Sequence, residues 1–115
     1  MNKARLLPAI AVALAASTGS GVAQQVGNPR TGLELAQRLC TQCHAVSRDE
    51  GRSPNANAPR FPVIASVPGM TATALSAALN TSHRTMPNII LDAEQQANII
   101  AYILSLKQSG PLPGK

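Results

Sequence analysis

The chain has 115 residues, a formal charge of +5 at neutral pH, and 13% charged against 44% hydrophobic residues. That is one small domain's worth of sequence, too short for a large catalytic architecture and too weakly charged for a disordered chain. Its two cysteines are too few for a disulfide-dense scaffold, and its aromatics amount to Phe61, Tyr102 and no tryptophan. Aromatic side chains supply much of the buried area in ordinary cores, so either the domain is marginal or something other than protein fills its middle.

From the N-terminus, Lys3 and Arg5 form a basic region, Leu6 to Ala16 an apolar run of 11 residues, and Ser17 to Ala23 a stretch dominated by small residues. That order is a secretory signal peptide over residues 1–23, cleaved after Gly21-Val22-Ala23 and directing the chain across the inner membrane to the periplasm. A run of this length broken by Pro8 is well short of the roughly 20 residues that span a bilayer, so no membrane span is expected after cleavage. The working domain is then 24–115, with 92 residues and a charge of +3. Its only lysines are Lys107 and Lys115. With no basic cluster and almost no aromatics to stack bases, nucleic-acid binding is excluded.

Gln24 to Arg30 reads as a polar lead-in. Thr31-Gly32-Leu33-Glu34 fits a capping box, which predicts a helix from Gly32 to about Cys40 with Gly32, Ala36 and Cys40 on one side. Val46 to Pro62 reads as a loop, punctuated by Pro54, Pro59 and Pro62. Thr71 is the N-cap of a second helix, Ala72 to about Leu79, with Leu75 and Leu79 on one face and Met70 as a staple ahead of the cap. Asn80 to Ile90 is irregular around Pro87. Asp92-Ala93-Glu94-Gln95 opens the clearest helix, striped by Ile99, Ile103 and Leu106, with Lys107 in its last turn and Gly110-Pro111 as its stop. No period-2 run or hairpin turn signals a strand. The expected class is all-α, three or more short helices joined by long loops that need something to pack against.

Cys40-Thr41-Gln42-Cys43-His44 is C-x-x-C-H, the attachment signature for c-type haem. Two thiols three residues apart on one helical turn can each add to a haem vinyl group, and the following imidazole can reach the iron. A thioredoxin-like pair would need a βαβ background. A zinc site would need a fourth ligand, for which only His83 is available. A disulfide across two residues would be strained. Of the domain's two methionines, Met70 precedes a helix cap, where a structural role is expected. Met86 lies in an irregular segment from which a thioether can be aimed at an iron, with a core gap-filling role as the alternative and His83 as a rival ligand.

On these motifs the chain resembles the small class I bacterial cytochromes c over essentially all of residues 24–115. The resemblance implies the cytochrome c fold, wrapped around one covalently bound haem c. In that family a glycine eight residues before the first cysteine packs on an aromatic of the C-terminal helix; Gly32 and Tyr102 match. An aromatic often found four residues before that cysteine is replaced here by Ala36. The family's Met-Pro is matched by Met86-Pro87. The implied site is Cys40 and Cys43 for attachment, His44 as proximal and Met86 as distal iron ligand. The His44 ring would donate to the carbonyl of Pro59 or Pro62. Leu39, Phe61, Ile64, Leu75, Leu79 and Ile90 would line the pocket, and Arg60 and Arg84 could meet the propionates. The implied role is not enzymatic: a periplasmic carrier moving single electrons between redox protein partners, as a monomer or as the electron-accepting subunit of a dehydrogenase complex. A gas-binding or peroxidase-like haem with an open sixth site is the reading from another class.

Overall fold

The computed structural model describes residues 26–83 and 85–107; the leader at 1–23, Arg84 and the Gly110-Pro111 stop lie outside them. Four helices follow in chain order: α1 Pro29–Leu39, α2 Phe61–Ala65, α3 Ala72–Leu79 and α4 Ala93–Ser105. Among the described residues there is no strand, only an isolated antiparallel bridge between His83 and Met86. The fold is all-α. No helix of the described residues is long and apolar enough to cross a membrane.

α4 is the organising element, packed against each of the other three helices. It begins where its sequence predicts: Asp92 Oδ1 accepts from Gln95 N at 2.8 Å and Gln95 Oε1 accepts from Asp92 N at 3.1 Å. The reciprocal bonds satisfy amides that a helix start leaves free. Its end falls short of the prediction. The helix stops at Ser105 with Leu106 as C-cap, so Lys107 lies beyond the last turn, where its Nζ donates to Met70 O at 3.2 Å.

α1 corrects its predicted start. It begins three residues early, at Pro29, and its cap is Asn28 rather than Thr31. Asn28 Oδ1 accepts from Arg30 N and Thr31 N, and no Thr31–Glu34 capping box forms. Proline at the first helical position has its φ preset and lacks the amide a cap would have to satisfy, so Asn-Pro outcompetes the downstream pair. Tertiary contact reinforces the choice, because Asn28 N donates to the buried Asn98 Oδ1 on α4 at 2.7 Å. α1 ends at Leu39, with Cys40 as its C-cap donating N–H to Ala36 O.

The α1–α4 crossing is set by Gly32. A Cβ there would fall 1.9 Å from Asn98 O and 2.8 Å from Tyr102 Cβ. Ala36, one turn on, is fully buried. The core continues through Leu35, Val46, Phe61, Ala65, Leu75, Ile99, Ile100, Tyr102, Ile103 and Leu106, with Met70 packed on its edge.

α3 is capped as predicted, Thr71 Oγ1 accepting from Ala74 N at 3.1 Å. α2 is an addition, and it shortens the predicted loop to end at Arg60. Phe-Pro-Val-Ile-Ala offers one turn only, too short for a 3.6-residue periodicity to register, while its proline reads locally as a breaker. In the first turn of a helix that proline costs nothing.

Candidate functional site

The site begins at the end of α1. Past the Cys40 cap the chain turns tightly, with Cys43 N and His44 N both donating to Cys40 O, at 3.2 and 2.8 Å. This turn sets both cysteines and His44 around a single bend. Three bonds then tie the bend to the loop at residues 46–60 and to the first residue of α2. Ala45 N donates to the buried Ser53 Oγ, Asn55 N to Cys43 O, and Phe61 N to Ala45 O. They bring Pro59 beside the imidazole, where His44 Nδ1 donates to Pro59 O at 2.7 Å. A carbonyl can only accept, so in the neutral ring Nδ1 carries the proton and Nε2 keeps its lone pair. Pro62, the other carbonyl considered, instead accepts from Ser66 N and Ser66 Oγ. Phe61 holds the ring from the side, its centroid 5.3 Å from that of His44 at a tilt of 52°.

His44 and both cysteines line a cavity of about 340 Å³ that opens to the surface. Its walls are apolar: Phe61 and Ile64 from α2, Leu75, Ala78 and Leu79 from α3, Ile99 and Ile103 from α4. The segment between α3 and α4 contributes His83, Thr85 and Met86, so Met86 and the C-x-x-C-H turn share one enclosure. Among the described residues that line it, none is an acid, a lysine or an arginine. Both thiols are free, and burial, reinforced by the neighbouring Cys43, pushes the Cys40 thiol up to about 11. At neutral pH that sulfur stays protonated and resists adventitious oxidation.

Four of the six predicted pocket residues stand in the cavity wall, Phe61, Ile64, Leu75 and Leu79. Leu39 and Ile90 do not. Leu39 is 40% exposed at the end of α1, and Ile90 is 91% exposed in the stretch before α4. A lone apolar residue at a helix end or in a loop carries no periodicity to say which way it faces. Ile99 and Ile103 take their places; their i, i+4 spacing marked them as a buried stripe, but not what they face. Arg60 is half-buried and outside the cavity lining; Nη1 lies 3.5 Å from Gly51 O, and its buried Nε has no partner. Asn55 and Asn57, both cavity-lining, were not foreseen, because polar loop residues give no sequence signal of their own.

The cavity's walls are largely apolar, with Asn55, Asn57, His83 and Thr85 among its polar lining residues. Among the described residues, no three His, Cys, Asp or Glu side chains gather where they could hold a metal ion. The strands that the thioredoxin reading needs are not found among the described residues. No family model, curated protein or solved structure matches the chain.

Proposed function

We propose that this protein is a monohaem c-type cytochrome of the class I fold, which carries single electrons between redox protein partners in the periplasm. The observation that carries the reading is a single one. Two free thiols, an imidazole with Nε2 left basic, and a thioether all line one apolar cavity. Bound there, haem supplies a one-electron iron couple that the side chains lack.

The chain's own residues divide the task. Cys40 and Cys43 would anchor the group, each adding its S–H across a vinyl double bond to form a thioether. His44 would ligate through Nε2, its orientation and basicity fixed by the bond to Pro59 O. Met86 would ligate from the segment ahead of α4. A thioether paired with histidine raises the potential, and two retained ligands suit electron transfer without substrate chemistry. Phe61, Ile64, Leu75, Leu79, Ile99 and Ile103 exclude water, which disfavours the more charged oxidised state and raises the potential further.

The test is a haem stain after denaturing electrophoresis, together with oxidised and reduced visible spectra and a redox titration of the exported protein. Expected are covalently retained haem, a one-electron wave and the Met–iron charge-transfer band of the oxidised form. Haem that washes off on denaturation overturns the reading. An absent Met band with a freely accessible sixth site would favour the gas-binding alternative.

A further inference from the structure

Met86 is not alone at its end of the cavity. His83 lines the same space, and the two residues are the paired positions of the isolated antiparallel bridge, closed by Met86 N donating to His83 O at 3.2 Å. Residues directly opposite in an antiparallel pair project their side chains to the same face, with Cβ atoms about 4.5–5.5 Å apart. The turn therefore presents an imidazole and a thioether side by side. Their depths differ, His83 being exposed and Met86 half-buried.

We propose that His83 is a reserve distal ligand, adjacent to Met86 on the same two-residue bridge and able to take the sixth position when the Met86 thioether is lost. The proposal rests on the haem reading above and goes beyond it. Imidazole and thioether are both established haem-iron donors, so the exchange needs no new chemistry. It needs only a small shift of the chain, and the segment allows one. Between Ser82 and Leu91, the Met86–His83 bond is the one backbone–backbone hydrogen bond among the described residues, and Pro87 has no N–H to donate. The deeper Met86 holds the position in the intact protein, while His83 waits at the mouth. With His83 in place the sixth position stays closed to small molecules, and the potential drops because the thioether's preference for reduced iron is gone.

The composition makes the test clean. The chain has two histidines, and His44 is committed to Pro59, so any second imidazole on the iron is His83. The experiment compares matured wild type, M86A, H83A and the M86A/H83A double variant by visible and EPR spectroscopy, redox titration and imidazole binding. Wild type and H83A are expected to share the Met–iron band. M86A is expected to lose the band yet stay six-coordinate and low-spin at a lower potential, and to bind added imidazole at least tenfold more weakly than the high-spin double variant. If M86A and the double variant are both high-spin with equal imidazole affinity, His83 is no reserve ligand. If H83A alone loses the wild-type sixth ligand, the roles are reversed and the proposal fails. Wild type without covalent haem would sink the underlying reading instead, so the two failures are told apart. Should M86A fail to mature, peroxide treatment of matured wild type and H83A, with the Met86 sulfoxide mapped by mass, replaces it. Low-spin iron retained in wild type and lost in H83A then supports the proposal, and the same high-spin product in both overturns it.

Discussion

At Gly32 the obstacle to any side chain is backbone, not a flexible neighbour that can swing aside: a Cβ would lie 1.9 Å from Asn98 O. Gly32→Ala must therefore push α1 off α4, and overpacking of this kind costs about 3 kcal/mol. A thermal melt of the protein is expected to show the loss; an unchanged midpoint would mean that α1 and α4 can part at Gly32 without cost. Tyr102, the other half of that crossing, is held differently. It is buried, and its hydroxyl donates to Val46 O at 2.7 Å. Burial raises its phenol above the ordinary 10.0, because the phenolate would be desolvated. A folded-state value above the unfolded one means that the stabilisation is complete below the unfolded value and is lost as pH rises through the folded one. Tyr102→Phe is expected to cost about 1 kcal/mol at neutral pH. It is also expected to flatten the decline of stability above pH 10, which melts across that range will show.

Helix starts test the local rules most directly. Asn28 caps α1 with its side chain and donates its own backbone N–H to the Asn98 carboxamide oxygen on α4. Asn28→Ala removes the cap and leaves the second contact, so a loss of about 1 kcal/mol is expected in chemical denaturation, with no change in the slope. Thr71 and the Asp92–Gln95 pair were legible because each cap directly precedes a periodic run long enough to confirm it. The start of α1 was not, since two competing caps lie three residues apart and the bond that decides between them comes from Asn98, far along the chain. α2 was illegible for a different reason, being a single turn held by its packing rather than by any pattern of its own. The site divides in the same way. Cys40, Cys43 and His44 are contiguous, so their mutual placement follows from one turn of chain. That Met86, His83 and the α3 and α4 walls close over that turn is a tertiary fact, and the outward-facing Leu39 and Ile90 show how little a single residue says about it.

At the scale of the whole molecule the proposed haem makes the shortage of aromatics and the cavity one feature. Phe61 and Tyr102 are both buried, with ring centroids 6.4 Å apart, and with His44 they already account for the aromatic rings around the core. Beside them lies about 340 Å³ that no protein atom fills. At ~24 cal/mol per Å³, an enclosed void of that size would cost about 8 kcal/mol, on the scale of the whole stability of a small domain. Because this cavity opens to the surface, water relieves part of that penalty, but it does so by wetting isoleucine and leucine walls that folding is meant to dry. A domain of this size has little stability in reserve to absorb either cost. On the proposed haem reading, the chain produced without haem and the C40A/C43A variant are therefore expected to lack a cooperative thermal transition, while the haem-loaded protein melts sharply. Far-UV circular dichroism with temperature distinguishes them. A haem-free chain that melts cooperatively near the same midpoint would show that the protein shell holds itself together around an empty centre, and that the missing aromatics have another explanation.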